Sequence, residues 1–244
     1  MARLLIGLES MEDSAYDVEY YNKLQGVVYN CLRDTHPGLH DKKGYKFFCF
    51  SNIFPVKDPK RGDECNLIIS SPDYSIIKTL SDSIQDEINV GNSRFRILSK
   101  RLINIKLNDR CTLKTPTPIV VRIPKSRYLE YGISSEKEYV YWRHQYTVSA
   151  FLKQLEENLH KKYTQFTGVE VKTPLLFEEI TPLKTVAVYA TINNVRTQII
   201  GSTWEFHLNH LTQEQKTLLE FGIDCGFGEL NTLGFGFINP TKNA

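Results

Sequence analysis

The spacing of apolar residues over the first half of the chain is the feature that most restricts its fold. Residues 3 to 9 alternate, with Leu4, Ile6 and Leu8 on one face, as in a half-buried strand. The elements predicted after it are a helix that ends before Pro37, strands over 47–53 and 65–71, a helix marked by apolar residues from 76 to 88, and a strand from 93 to 98. This βαββαβ order is typical of a ferredoxin-like domain.

The second half repeats the order with one extra strand. Thr115-Pro116-Thr117-Pro118 is a rigid, non-helical segment, so we expect domains at residues 1–114 and 119–244. The predicted elements are a strand over 119–123, an insertion over 124–143, a helix over 148–159, strands over 169–180, 186–192 and 199–208, and a short helix that begins at the capping box Thr212-x-x-Gln215. A glycine-rich loop and a last strand complete the domain. The predicted fold is therefore α+β, with two tandem ferredoxin-like domains.

Two Gly-Phe-Gly triplets, at 226–228 and 234–236, are separated by five residues. Glycine tolerates positive φ and the close approach of another chain, so this backbone is suited to wrapping a phosphate. A nicotinamide or nucleoside triphosphate site is not expected, because Asn231 stands where a dinucleotide fingerprint needs its third glycine and no Gly-Lys-Ser/Thr follows. The alternative is a loop whose glycines ease the entry into a buried strand over 233–239.

The composition fits a globular protein with a substantial core, since 41% of the 244 residues are hydrophobic and 24% are charged. The five cysteines include no Cys-x-x-Cys pair, so neither zinc nor disulfides are expected. No signal peptide or run long enough to span a membrane is evident, and we expect a cytoplasmic location without membrane contact.

Basic residues are concentrated in the segment from Arg94 to Arg127. It contains ten lysines and arginines and a single acidic residue, Asp109, so its net charge is +9. Such an excess of one sign favours a polyanionic partner. The alternative is an ordinary solvated strand face, although such faces usually mix charges of both signs.

Three residues near the first helix are candidates for chemistry, namely Tyr29 on the helix, His40 in the loop after it and Lys46 before the next strand. Taken singly, each is more often a packing or surface residue. Together they stand in two longer stretches, Tyr20-Tyr21-x-x-Leu24-Gln25-Gly26-Val27-Val28-Tyr29-Asn30 and His40-x-x-Lys43-Gly44-x-Lys46-x-Phe48.

With the glycine triplets, these stretches resemble the archaeal CRISPR repeat-RNA endoribonucleases of the RAMP superfamily. The resemblance implies that Tyr29, His40 and Lys46 are catalytic, that the partner is the CRISPR precursor transcript, and that no cofactor or metal is used. It leaves open association with a CRISPR effector complex, and either a monomer or a homodimer. The residues expected to bind RNA are Arg94, Arg96, Lys100, Arg101, Lys125, Arg127, Gly226, Gly228, Gly234 and Gly236.

These residue types suit RNA cleavage without a metal, in which a 2′-OH attacks its own phosphate. An imidazole can give a proton to the leaving 5′-oxygen near neutral pH, a tyrosine can orient the 2′-OH, and an ammonium can stabilise the transition state. A metal nuclease is not expected, since no pair of acidic residues accompanies a histidine at ligand spacing. Two alternatives stay open, namely a non-catalytic RNA-binding subunit of the same superfamily and a ferredoxin-like protein that binds only another protein.

Overall fold

The computed structural model describes residues 2–15, 19–173, 177, 179–192 and 194–241. The helices of these ranges are α1 (Tyr20–Leu32), α2 (Tyr74–Ser83), α3 (Tyr128–Tyr131), α4 (Val148–Thr167) and α5 (Gln213–Cys225). The strands are β1 (Ala2–Ser10), β2 (Cys49–Phe50), β3 (Glu64–Ser71), β4 (Glu87–Val90), β5 (Ser93–Ile103), β6 (Cys111–Lys114), β7 (Arg122–Pro124), β8 (Tyr139–Tyr141), β9 (Glu179–Ile192), β10 (Val195–Leu208) and β11 (Asn239–Thr241).

The first half forms an antiparallel sheet with the strand order β2-β3-β1-β5-β4. Leu4, Ile6 and Leu8 are fully buried in one core cluster with the apolar residues of α1 and α2. Without β4, this is the order of a ferredoxin-like sheet. The additional strand β4 contains Ile88, which the apolar spacing had placed in α2; the helix ends earlier, at Ser83.

The second half has the order β11-β6-β10-β9, which is again ferredoxin-like. Together with the first sheet, this confirms the predicted fold class. Its first strand is β6 and not the predicted 119–123, because β6 pairs with β10 and the pairing resumes at Ile119 opposite Ser202. The prolines of residues 115–118 therefore interrupt this strand. The division into domains at residues 115–118 stays a prediction.

One long strand, β9, replaces the two strands predicted over 169–180 and 186–192. Pro182 lies inside β9, although proline lacks a donor for sheet pairing. β9 is an edge strand, however, and its register with β10 shifts between Thr203 and Trp204, so proline is tolerated there. Residues 169–173 are not a strand, and 174–176 and 178 lie outside the described residues.

The two halves are joined through a buried arginine. Arg3 in β1 is 1% exposed, and its guanidinium donates to the Asn239 side chain at 2.7 Å and to the backbone oxygens of Ile223 and Ile238 at 2.8 and 2.6 Å. Its Nε lies 3.6 Å from a carboxylate oxygen of Asp224. Burial raises the pKa of Asp224 to about 7, although Arg3 acts in the opposite direction.

Candidate active site

Helix α1 places Tyr29 at the edge of the first core. Leu24, Val28 and Leu32 are buried, while Tyr29, one position beyond Val28, is half-buried at the border of the apolar stripe. Its ring packs edge-on against Phe48, with the ring centroids 5.6 Å apart. The hydroxyl of Tyr29 is shielded from solvent and has no hydrogen-bond partner among the described residues.

The histidine loop (residues 33–46) turns back over this tyrosine. Gly38, at φ 82°, permits the turn, and its carbonyl accepts the amide of Lys42 at 2.9 Å. The His40 ring consequently lies 4.9 Å from the Tyr29 ring, centroid to centroid, at an interplanar angle of 75°. The His40 side chain is 73% exposed, and its Nδ1 lies 2.9 Å from a carboxylate oxygen of Asp41.

Lys46 completes the group at the end of this loop. Its ammonium donates to the backbone oxygen of His40 at 2.5 Å and lies 5.3 Å from the centroid of the Tyr29 ring. The structure therefore brings together the three residues that the sequence singled out. An imidazole, a phenolic hydroxyl and an ammonium therefore lie next to one another.

A cleft of about 550 Å³ opens beside this group. Its walls include Tyr29 and His40, together with polar residues of α1. Two of these tie α1 to the second half, since the Asn22 amide bonds both backbone groups of Thr191 at 2.9 and 2.8 Å and Gln25 donates to the carbonyl of Thr232 at 3.0 Å. The helix that carries Tyr29 is thus held by both halves of the molecule.

The sequence reading missed His36, which lines the same cleft. Its Nε2 lies 3.2 Å from Ser75 Oγ and its Nδ1 2.9 Å from Thr35 Oγ1. Ser75 Oγ donates to Asp73 at 2.7 Å, so it accepts from His36. The sequence does show a second histidine four residues before His40. Because Pro37 and Gly38 follow it, that stretch indicates only the end of the helix.

The glycine-rich loop (residues 226–237) is closely packed against the rest of the protein. All four glycines of its triplets are buried with positive φ, and a Cβ on Gly234 would lie 2.5 Å from the Phe50 ring of the first half. A Cβ on Gly236 would lie 1.9 Å from the carbonyl oxygen of Phe227. That these glycines bind RNA stays a prediction; the partly exposed loop positions are Glu229, Leu230 and Thr232.

A buried lysine of α4, which the sequence reading also missed, supports this loop from inside. Lys162 is 2% exposed and donates to the carbonyls of Gly226 and Gly228 at 2.9 and 2.6 Å and to Asn231 Oδ1 at 2.6 Å. Burial lowers its pKa. Because lysines on helices usually face water, nothing in the sequence marked this one as internal.

The positive charge of the basic segment is partly offset in the folded structure by carboxylates outside the segment. Most of its cations lie near carboxylates from elsewhere, in the pairs Arg94–Glu87, Arg96–Glu9, Lys106–Glu220, Lys114–Glu205, Arg122–Glu229, Lys125–Glu136 and Arg127–Glu157. Lys100 donates to the carbonyls of Ser81 and Ile84 at the end of α2. Arg101 is exposed, with no ion pair among the described residues. RNA binding by these side chains stays a prediction.

In the described part of the chain, no helix is long and apolar enough to cross a membrane.

Comparisons with known proteins agree on one family. Residues 102–240 match the model of the C-terminal part of the CRISPR-associated protein Cas6. The CRISPR-associated endoribonuclease Cas6 2 of Methanocaldococcus jannaschii is 32% identical over 251 residues, with 98% of this chain and 100% of the relative covered. The Cas6 endoribonuclease of Haloferax mediterranei is 30% identical, covering 97% and 93%. A solved structure of a RAMP protein binding different RNA substrates shares the fold, with a TM-score of 0.75 at 21% identity over 99% and 100% of the two chains.

Proposed function

Since the chain belongs to the Cas6 family of CRISPR-associated endoribonucleases, we propose that it binds CRISPR repeat RNA and cuts the precursor transcript within the repeat, without a metal ion. The observation that carries this proposal is the assembly of Tyr29, His40 and Lys46 into one group of contacting side chains. These side chains come from a helix, a loop and the approach to a strand, and they meet only through the fold. Their chemistry is that required for attack by a 2′-OH.

In the proposed reaction the 2′-oxygen forms a bond to the adjacent phosphorus while the bond from phosphorus to the 5′-oxygen breaks. The products are a 2′,3′-cyclic phosphate and a 5′-OH. His40 is the candidate donor of the proton to the leaving 5′-oxygen, because its imidazole is exposed at the cleft. The proton of the 2′-OH leaves to solvent water.

Lys46 and Tyr29 have supporting roles in this proposal. Lys46 uses one proton for the backbone oxygen of His40, so two remain for the charged phosphoryl oxygens of the transition state. The Tyr29 hydroxyl has no partner in the described residues, which suits it to orient the 2′-OH. Because that hydroxyl is shielded from solvent, neighbouring side chains must shift before a ribose can contact it.

The decisive test uses a repeat RNA and the His40→Ala variant. Removal of a positioned general acid lowers the cleavage rate by roughly 10² to 10⁴, while RNA affinity stays nearly constant. His144→Ala is the matched control, since His144 is exposed and outside the cleft. Cleavage should persist in EDTA and stop when the scissile nucleotide carries a 2′-deoxyribose.

Four outcomes would count against the proposal. Parental cleavage by His40→Ala, or loss of cleavage on chelation, would overturn the mechanism; RNA binding without any cleavage would favour a non-catalytic RNA-binding subunit. A purified protein that carries no nucleic acid by its absorbance ratio and binds no repeat RNA would favour the protein-interaction alternative.

A further inference from the structure

A groove beside Lys46 consists of two adjoining pockets that lie on either side of Tyr45. One pocket, of about 360 Å³, is lined by Lys46 and the glycine-rich loop. The other, of about 320 Å³, is lined by Tyr139 of β8 and by the exposed face of α4. Both pockets share five residues, which are Tyr45, Arg122, Asn158, Gly228 and Glu229. The groove therefore continues from the candidate catalytic group into the second half of the molecule.

The two pockets differ in charge. Three cations, Lys46, Arg122 and Lys162, face a single carboxylate, Glu229, in the first pocket. Lys162 donates only to neutral oxygens, so its charge is not offset by a direct carboxylate contact among the described residues. This pocket attracts an anion such as a phosphate.

The second pocket is richer in carboxylates. Three of them line it, those of Glu138, Glu157 and Glu229, beside the cations of Arg122 and Lys161, and Glu157 also pairs with Arg127, so the charges balance. Carboxylate oxygens accept hydrogen bonds from amino groups but offer no hydrogen bond to a phosphate. The bases that carry an exocyclic amino group, adenine, cytosine and guanine, fit this chemistry better than uracil.

Two tyrosines supply aromatic surface along the groove. Tyr45 is half-buried between the pockets, and its hydroxyl accepts from the Asn158 amide at 3.4 Å, which fixes the side chain toward α4. Tyr139 is 37% exposed, and the guanidinium carbon of Arg122 lies 5.0 Å from its ring centroid. Arg122 is in turn fixed by Glu229, which accepts from both its backbone amide and its side chain.

From this arrangement we propose that the groove binds one unpaired nucleotide next to the cleaved phosphate, with its own phosphate in the Lys46 pocket and its base in the Tyr139 pocket. The proposal rests on the proposed function, because it takes RNA as the ligand. Tyr45 provides the surface against which the base stacks. The carboxylate acceptors of the lining make the site selective for a base with an amino group.

The test combines abasic RNA with substitutions at Tyr45. Repeat RNAs with a single abasic nucleotide, moved one position at a time across the cleavage site, should identify one position where single-turnover cleavage slows by about 5- to 150-fold, the usual effect of losing one stacked base. Tyr45→Leu should cause a loss of similar size on intact RNA, whereas Tyr45→Phe, which keeps the ring, should cleave almost as the parent does. Tyr74→Leu is the control, because Tyr74 is exposed on α2 outside the groove.

The double-mutant comparison separates stacking from a structural effect on the adjacent Lys46. If Tyr45 stacks on the base, Tyr45→Leu and the sensitive abasic position together cost no more than either alone. If the two losses multiply, or if no abasic position is sensitive, the subsite is refuted even though the parent enzyme still cleaves. Equal cleavage with uracil and with the amino-bearing bases at that position would refute the selectivity.

If the parent enzyme cuts no repeat RNA, the proposed function itself fails. That result is distinguishable from failure of the subsite, which requires an active parent.

Discussion

The histidine loop and the glycine-rich loop both attracted attention in the sequence, yet they are built in opposite ways. In the glycine-rich loop the triplet glycines are buried, and carbonyl groups are tied inward by Lys162 and Asn231. In the histidine loop His40 is 73% exposed, and it is held by contacts with Tyr29, Asp41 and Lys46.

The difference separates two causes of a recognisable sequence pattern. Steric demands fix the glycine spacing, because backbone atoms occupy the space that a Cβ would need. The candidate catalytic side chains are half-buried or exposed, so packing restricts their identity less, and their spacing alone is a weaker signal. The following changes test this contrast, beginning with the largest expected effect.

Gly236→Ala should be the most damaging of these substitutions. Its Cβ would lie 1.9 Å from the carbonyl oxygen of Phe227 and 2.9 Å from Asn231 Nδ2, at a φ of 69°. Backbone strain and overpacking together lower the free energy of unfolding by roughly 3 to 5 kcal/mol. Gly38→Ala is the matched control, since Gly38 has a similar φ of 82° with no atom within 4 Å of its Cβ position.

The control should lose only roughly 1 to 2 kcal/mol, the cost of the left-handed conformation. Urea titration of both variants measures the difference. Equal losses would mean that the collision at Gly236 relaxes, and that the glycine-rich loop is no more constrained than the histidine loop.

Lys162→Met tests the internal support of the glycine-rich loop. Methionine fills a similar volume but leaves the oxygens of Gly226, Gly228 and Asn231 without their donor, and we expect a loss of roughly 2 to 4 kcal/mol in urea titration. Lys161→Met is the control, because the neighbouring side chain is 70% exposed and pairs with Glu157 only at 3.9 Å. The control should change the free energy of unfolding by less than about 1 kcal/mol.

The pH dependence of stability gives a second measure of Lys162. Burial lowers its pKa in the folded state below the reference value of 10.5, so between these two values the unfolded chain binds more protons. In that window this group makes stability rise with pH, and below it the cost of the buried charge is present in full. The rise should be missing in Lys162→Met when both proteins are compared at alkaline pH.

The sequence predicted the elements and their order well where apolar spacing was regular, as in β1 and α1. It also placed the capping box correctly, since Thr212 and Gln215 bond reciprocally at the start of α5. It could not show that residues 115–118 interrupt a strand, or that Pro182 lies inside one, because an edge position and a register shift are properties of the assembled sheet.

For the candidate site, the sequence supplied Tyr29, His40 and Lys46 through resemblance and not through spacing. It could not predict the role of Lys162, because the hydrogen-bond partners of its ammonium are 64 or more residues away in sequence. It also could not show the ion pairs of the basic segment with Glu9, Glu220 and Glu205, because these carboxylates come from distant parts of the chain.

Tyr29→Phe should separate chemistry from packing on α1. The hydroxyl has no partner among the described residues, so its removal should leave the free energy of unfolding unchanged or raise it by up to about 1 kcal/mol, while slowing RNA cleavage. Tyr20→Phe is the contrast on the same helix, because the Tyr20 hydroxyl accepts the buried amide of Ile53 and its loss should cost roughly 1 to 3 kcal/mol. An unchanged cleavage rate in Tyr29→Phe would reduce Tyr29 to a packing residue.

The smallest expected effect concerns the charges on β5. Arg101 is exposed and makes no ion pair in the described part of the chain, whereas Arg96 lies 3.5 Å from Glu9. If Arg101 contacts a phosphate, Arg101→Gln should flatten the dependence of log affinity on log salt by about 0.7, the value for one phosphate of a single strand. Arg96→Gln should flatten it by less, because Arg96 must first leave Glu9, although a surface pair is worth only about 1 kcal/mol or less.

Equal flattening in both variants would mean that the Arg96–Glu9 pair opens when RNA binds. Arg96 would then contact a phosphate as fully as Arg101 does. No change in either variant would place the RNA away from β5. The measurement is a set of binding titrations at several salt concentrations with uncleavable repeat RNA, since cleavage would otherwise mix product release into the apparent affinity.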